Sequence, residues 1–147
     1  MTALTSYRDT KRMGDDVHPD ILEIKVADNV HIFKGAIVGL AAGYASPAGP
    51  TCTKVVGIAE KDADNTQPGH IAGGITVRVR QGTHKVANSA AADALAITDV
   101  GSLCYAVDDQ TVAKTNSATH NLPVAGTLIE IDADGGVWVQ MYLEGRS

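Results

Sequence analysis

The residue types that most often carry chemistry are present in this chain, but their spacing predicts no reactive centre. No two of its five histidines have the HxxxH spacing that directs both side chains at one metal. No serine lies in a GxSxG elbow, and no glycine-rich segment has the phosphate-binding spacing GxxxxGK[ST]. We therefore predict that the protein is not an enzyme and holds no cofactor or metal. The histidines are His18, His31, His70, His84 and His120.

Acidic residues gather in three short segments that could hold a cation or form turns. Asp132-Ala133-Asp134-Gly135 resembles the start of a calcium loop, but it lacks further oxygen ligands and the closing glutamate. Asp62-Ala63-Asp64 and Asp108-Asp109 have the same composition, which is typical of turns. We interpret all three as structural turns, and a cation site is the less favoured alternative.

The two cysteines, Cys52 and Cys104, form neither a CxxC pair nor a zinc-binding pattern. Two buried free thiols are the favoured interpretation, because free cysteine behaves as a small apolar residue. The sequence leaves a disulfide between them as an alternative.

Short runs of alternating apolar and polar residues, separated by glycine-rich turns, predict an all-β fold. Strands are expected at 21–26, 31–40 with a break at Gly35, 54–59, 75–80, 100–107, 111–115, 124–131 and 137–143. Residues 41–51 read as a loop, residues 62–69 as a polar turn, and Gly82 as the end of a strand. The expected architecture is a small β-barrel or β-sandwich with at most one short helix, at 89–97.

Length and patterning predict one domain with an N-terminal extension. Residues 1–20 are polar and lack periodicity, so we expect an extended N-terminal arm there and a single β-domain at 21–147. No secretory signal is visible at the start, and the apolar run at 35–45 is too short to span a bilayer. A net charge of −5 with scattered basic residues disfavours nucleic acid as a partner.

Three blocks of the chain are echoed later in the same order. Residues 34–38 resemble 100–104, residues 55–64 resemble 124–134, and residues 73–79 resemble 135–141. Chance similarity among glycine-punctuated strands is one explanation. The sharper hypothesis is a duplicated strand unit whose two halves close one barrel.

Two strands carry polar stripes that suit an interface. Thr76, Arg78 and Arg80 share one face of the predicted strand 75–80, whereas Trp138, Gln140 and Tyr142 share a face of the last strand. An outward-facing tryptophan favours a binding surface, and a tryptophan capping the core is the alternative. The candidate interface residues, with those of the arm included, are Tyr7, Arg8, Lys11, Arg12, Arg78, Arg80, Trp138 and Tyr142.

The C-terminal half carries a resemblance to a known family. The segment 100–115 combines Val100-Gly101 with an acidic hairpin and a Thr111-Val112-Ala113 return, and residues 125–139 end in Asp132-Ala133-Asp134-Gly135-Gly136-Val137-Trp138-Val139. Both segments resemble the capsid decoration, or cement, proteins of tailed bacteriophages, over about residues 30 to 143. The resemblance implies a β-barrel-like subunit without an active site, which forms homotrimers on the capsid exterior and binds the major capsid protein. It also implies that the arm reaches a neighbouring subunit.

Two other functions remain as alternatives to a virion structural protein. A carbohydrate- or ligand-binding module, such as a host-surface adhesin, would use Trp138 and Tyr44 to line a groove. A small β-barrel enzyme would need carboxylates or histidines that converge in a pocket.

Overall fold

The computed structural model describes Ser6, residues 21–115 and residues 121–143, and the regular secondary structure of this part is β-strand apart from two 3-10 helices. The all-β prediction is confirmed, and the predicted arm lies outside the described residues apart from Ser6. The strands are β1 (Ile21–Lys25), β2 (His31–Ile32), β3 (Ile37–Ala41), β4 (Tyr44–Pro47), β5 (Lys54–Ala59), β6 (Ala63–Asp64), β7 (Thr76–Arg80), β8 (Gly82–Asn88), β9 (Leu103–Ala106), β10 (Thr111–Ala113), β11 (Val124–Ile131) and β12 (Val137–Met141).

The first half of the molecule is a five-stranded antiparallel sheet with the order β1-β7-β5-β3-β4, beside a short β2-β6 ladder. The predicted alternation holds in β7, where Val77 and Val79 are buried and Thr76 is exposed. Small β-branched side chains fill this core because the strands approach one another closely. Its fully buried members are Val26, Ile32, Val38, Ala45, Val56 and Val79.

The second half is a closed five-stranded barrel with the order β10-β8-β12-β11-β9. Its neighbouring strands are antiparallel, except that β10 runs parallel to β8 and pairs with it only at Ala87 and Asn88. The interior is apolar and fully buried. It is filled by Cys104, Ala106, Val112, Leu128, Val137, Val139 and Met141.

The loop predicted at residues 41–51 is wrong, because this segment contains the strand β4. Ala42 and Gly43 both adopt positive φ angles, 51° and 88°, which form a two-residue hairpin turn between β3 and β4. Pro47 is tolerated because β4 lies at the edge of its sheet, where one side of the strand needs no amide donor.

The prediction that Gly82 ends a strand is incomplete, because Gly82 also begins β8. Its φ of 124° lets the chain leave β7 of the first sheet and enter the barrel after the single residue Gln81. Residues 62–69 likewise contain the two-residue strand β6. The expected short helix at 89–97 is a three-residue 3-10 helix, Ala91–Asp93, and a second one follows at Ile97–Asp99.

The two halves have the same strand connectivity. Strands β1, β3, β4, β5 and β7 correspond to β8, β9, β10, β11 and β12, with the same neighbours in each set. Loop hydrogen bonds correspond as well: Gly35 N–H donates to the Ala59 carbonyl at 2.9 Å, and Gly101 N–H donates to the Leu128 carbonyl at 2.8 Å. The echo in the sequence is therefore a repeated supersecondary unit.

The hypothesis that the two halves close one barrel is wrong, because the strands of the second half close a barrel by themselves and those of the first half form a separate sheet. In the barrel Asn88 pairs with Val112, and the corresponding residues of the first sheet, Val26 and Ala45, form an isolated parallel bridge. The halves are joined through a shared core instead. Ile37, Ala48 and Val55 of the first half pack into the barrel cluster, and the Ile37 N–H donates to the Asp109 carbonyl at 2.7 Å.

Candidate functional site: the outer face of the barrel

Trp138 lies on the outer face of the barrel. Its neighbours in β12, Val137 and Val139, are fully buried in the interior, so the alternation of the strand directs Trp138 outward. The indole is half-buried and Gln140, next along the same face, is exposed. Trp138 therefore does not cap the core, and the outward-facing interpretation of this stripe is correct. Tyr142 follows the end of the strand and is half-buried.

Polar groups on the adjoining strands surround Trp138. Lys85 of β8 stands opposite it on one side, and Glu130 of β11 stands opposite it on the other. The Lys85 ammonium binds the carboxylates of Asp132 and Asp134 at 2.9 and 2.6 Å. An indole among solvated charges has the arrangement of an interface anchor with a polar rim.

The contacts of Lys85 and Asp134 also perturb their protonation. The hydrogen bond from Lys85 holds the pKa of the Asp134 carboxyl below its usual range, and the Gly136 N–H adds a second bond at 2.9 Å. The bond to Asp134 likewise raises the pKa of Lys85, and the bond to Asp132 adds to it. Both side chains therefore stay charged at neutral pH. The Asp132–Asp134 turn binds a lysine, which supports its interpretation as a structural turn.

Arg78 and Arg80 lie on the first sheet and are held by acidic partners. The Arg78 Nε is 3.4 Å from a Glu23 carboxylate oxygen, and the Arg80 Nε and Nη2 are 2.7 and 2.5 Å from Glu60 Oε1. Both side chains remain partly exposed, at 40% and 42%. Ion pairs with this exposure organise the surface more than they stabilise the fold.

The two predicted stripes occupy corresponding places in the repeated unit without forming one site. From the strand pairing, Arg78 corresponds to Trp138 and Arg80 to Gln140, in separate sheets. Among the described residues, no hydrogen bond or ion pair connects the arginines to Trp138. The candidate residues Tyr7, Arg8, Lys11 and Arg12 lie outside the described residues.

Three apolar residues of the second half, which the sequence analysis did not identify, are exposed. Ile97 is 73% exposed, Val100 41% and Ile129 43%. The Gly101 N–H bond to Leu128 places Val100 next to β11, and the register shift between Leu128 and Glu130 leaves Ile129 as the extra residue of a bulge. Isolated apolar residues in a loop and a bulge carry no period-two signal, so patterning does not reveal them.

Two grooves lie between the first sheet and β8, and both include Gly35. The larger, about 700 Å³, is lined by residues 85–88 of β8, by Ser89 after it, and by the turns that hold Gln110 and Asp134. The smaller, about 430 Å³, lies beside His84. Its other lining residues are Lys34, Gly35, Ile58, Ala59, Glu60, Lys61 and Arg80.

The described histidines serve the first sheet and its border rather than a metal. His70 Nδ1 is 2.6 Å from Asp28 Oδ1, His84 Nε2 is 3.0 Å from the Arg80 carbonyl, and His31 stacks on Phe33. Within residues 21–115 and 121–143, no three histidine, cysteine or carboxylate side chains are grouped as metal ligands. His18 and His120 lie outside this part of the chain.

Both cysteines are buried free thiols, one in each half. Cys52 Sγ is 3.5 Å from the Pro47 carbonyl, and Cys104 Sγ is 3.6 Å from the Gly126 carbonyl. Burial raises the pKa of Cys52 and raises the pKa of Cys104 to about 12. A protonated, buried thiol is a poor nucleophile, so the sulfur atoms contribute to packing. The disulfide alternative is not what the structure contains.

Comparisons with other proteins leave the family open. No protein-family model matches the chain, and neither the curated proteins nor the solved structures include a significant match. Among the residues that the structure describes, no helix has the length and apolar character needed to cross a membrane.

Proposed function

We propose that this protein is a capsid decoration protein of a tailed bacteriophage, which binds the outside of the assembled head and stabilises contacts between major capsid proteins. The observation that carries the proposal is the outer face of the barrel, where Trp138 stands half-exposed between Lys85 and Glu130. The family resemblance of segments 100–115 and 125–139 supplies the identity of the partner.

The barrel keeps the surface around Trp138 rigid. Trp138 is flanked in β12 by Val137 and Val139, both fully buried, so the strand cannot rotate without opening the core. A preorganised aromatic anchor loses little conformational entropy on binding, and many copies on a symmetric shell multiply a modest affinity. The exposed side chains of Ile97, Val100 and Ile129 add apolar area on the same half of the molecule.

A non-catalytic role fits this geometry. No group of three potential metal ligands occurs among the described residues, and the thiols are buried. The adhesin alternative places Trp138 and Tyr44 in one groove, but neither of the two grooves is lined by either residue. Trp138 and Tyr44 also belong to different sheets, so we favour protein surfaces over glycans as the ligand. We expect a homotrimer on the capsid exterior that contacts neither nucleic acid nor membrane.

The test is to co-express the chain with the major capsid protein encoded in the same genome, and to image the assembled heads by electron cryo-microscopy. We expect density for this protein on the outer surface and none on unassembled capsid subunits. Trp138→Ala should reduce the occupancy by about tenfold or more, because a central tryptophan carries a large share of interface energy.

Tyr44→Ala is the matched aromatic control, since Tyr44 lies on β4 of the other half. It should leave occupancy unchanged. Folded protein that never binds the heads would refute the proposal. Glycan-array binding that both substitutions abolish would instead establish the adhesin.

A further inference from the structure

Strand β8 has one edge that is paired over only part of its length. On one side β12 pairs with it at every residue from Gly82 to Val86. On the other side β10 pairs with it only at Ala87 and Asn88, which is enough to close the barrel. Among the described residues, the first five residues of β8 therefore have no strand partner on this side, and we call this side the open edge.

The direction of the backbone groups along this edge follows from the strand period. The Ala87 N–H donates to the Gln110 carbonyl of the β9–β10 turn at 2.9 Å, so it points away from β12. Because amide groups repeat their direction every second residue, the N–H and C=O groups of Thr83 and Lys85 point the same way. Within residues 21–115 and 121–143 these four groups have no hydrogen-bond partner.

The two grooves run along this edge. Together they are lined by residues 84–89 of the β8 segment on one side and by Lys34 and Gly35 on the other. Both Thr83 and Lys85 are exposed, so an extended chain can reach their backbone.

The charges of the smaller groove favour an acidic ligand. In this groove Arg80 is neutralised by Glu60, whereas Lys34 and Lys61 are exposed and form no ion pair with the described residues. The larger groove differs, because the single charge of Lys85 is bound by two carboxylates, those of Asp132 and Asp134. We therefore expect the acidic side chains of a ligand to lie in the smaller groove.

We propose that the open edge of β8 binds an extended acidic segment of another protein by strand addition. The segment pairs with the backbone of Thr83 and Lys85, and its carboxylates face Lys34 and Lys61. Main-chain hydrogen bonds supply affinity and side-chain charge supplies selectivity, as in other strand-addition sites. Edge-to-edge pairing of two copies of this chain is disfavoured, since it brings the lysines of both copies together. The inference does not depend on the capsid as the partner.

Hydrogen exchange of the full-length protein tests the geometry of the edge. In the free protein the Thr83 and Lys85 amides should exchange fast, whereas His84 and Val86, which face β12, should be protected. Equal protection of all four amides would refute the open edge. If deleting residues 1–20 then made the Thr83 and Lys85 amides exchange fast, the chain's own N-terminal segment would be what covers the edge. That result would also overturn the proposal.

Fluorescence anisotropy with a labelled hexapeptide of alternating valine and glutamate tests the ligand. We expect saturable binding that protects the Thr83 and Lys85 amides, and no binding of the valine–lysine peptide. Thr83→Pro should weaken binding by about tenfold, because it removes an amide that the ligand needs and the barrel does not.

Charge reversal provides a second set of variants that does not alter the backbone. Lys34→Glu and Lys61→Glu should each weaken binding of the acidic peptide. Lys114→Glu changes an exposed lysine outside both grooves and should leave the binding unchanged. Equal effects of all three would mean long-range attraction only and would overturn the site. If Thr83→Pro dissociated an oligomer of this chain, a second copy would be the partner of the β8 edge. That result would overturn the proposal as well. Failure of head binding with peptide binding intact would refute only the capsid function.

Discussion

Gly57 and Gly126 hold the same place in the two halves of the molecule. A side-chain carbon on Gly57 would overlap the Arg80 carbonyl oxygen, and one on Gly126 would overlap the Gln140 carbonyl oxygen. Each would also lie 3.1 Å from a valine methyl, that of Val79 or Val139. The repeated unit thus needs glycine where β5 passes β7 and where β11 passes β12, because only glycine allows the backbones this close.

We predict that Gly57→Ala and Gly126→Ala each destabilise the protein by about 1–3 kcal/mol, since the added methyl forces the backbones apart. Gly49→Ala is the control, because the nearest atom to its added methyl, the Val107 carbonyl oxygen, lies at 3.9 Å. The measurement is the free energy of unfolding in urea. Equal losses at all three positions would contradict the close approach.

Asn65 is a buried amide that fastens three loop carbonyls of the first half. It is 3% exposed, and its side-chain nitrogen donates to Ala27 and Ile71 at 2.9 and 2.8 Å and more weakly to Val26 at 3.4 Å. Asn65→Ala should cost about 2–3 kcal/mol, because it removes the side-chain hydrogen bonds that join these three carbonyls around a buried site. Gln67→Ala, at an exposed neighbouring site, should change thermal stability far less. A small loss for Asn65→Ala would mean that water replaces the amide.

Cys104 predicts a loss of stability at alkaline pH. Its pKa is about 12 in the folded protein, against an ordinary value of 9.0, so the folded state favours the neutral thiol. The contribution is complete below pH 9.0 and declines as the pH rises toward 12, by about 1.4 kcal/mol per pH unit at most. Between about pH 8 and about pH 11, the free energy of unfolding should depend less on pH for Cys104→Ala than for the natural sequence. Parallel curves would assign the alkaline loss to other groups.

Asp134 should titrate below an ordinary aspartate, because Lys85 and the Gly136 amide bind its ionised form. A lowered pKa in the folded state means that this stabilisation is present above the ordinary value of 3.8 and disappears as the pH falls through the folded pKa. Carbon-13 NMR of the carboxyl group measures the shift. Lys85→Gln should return it toward the ordinary value, and Lys114→Gln should not. An unchanged titration in Lys85→Gln would mean that the backbone amide alone causes the shift.

Strand positions were largely predictable because short apolar runs lie between polar segments. The expected strand 54–59 matches β5, and 124–131 matches β11. Strand β8 was missed because its exposed residues, Thr83, Lys85 and Ala87, alternate with residues that are only half-buried. Strand β4 was missed because Pro47 and Gly43 signal a loop, and only its edge position makes them acceptable.

The echo shows how far patterning can specify register. The first two blocks align as the structure aligns them, Gly35 with Gly101 and Gly57 with Gly126. For the third block, the sequence comparison matches Val77 with Val139, whereas the strand pairing matches Val77 with Val137. The two alignments therefore differ by two residues. A two-residue slip keeps every side chain on its face, so alternation cannot detect it.

By itself, the sequence determined the local structure of this protein: which residues face a core, where glycine and aspartate turn the chain, and that Trp138 alternates with buried valines. These properties depend on residues close together in the chain. Only the tertiary structure decided that the second half closes a barrel by itself, that Arg78 and Trp138 lie on different sheets, and that no described strand pairs with the second edge of β8 at residues 82–86. Those outcomes depend on which strands pair across long sequence separations, and backbone hydrogen bonding is the same for every candidate partner.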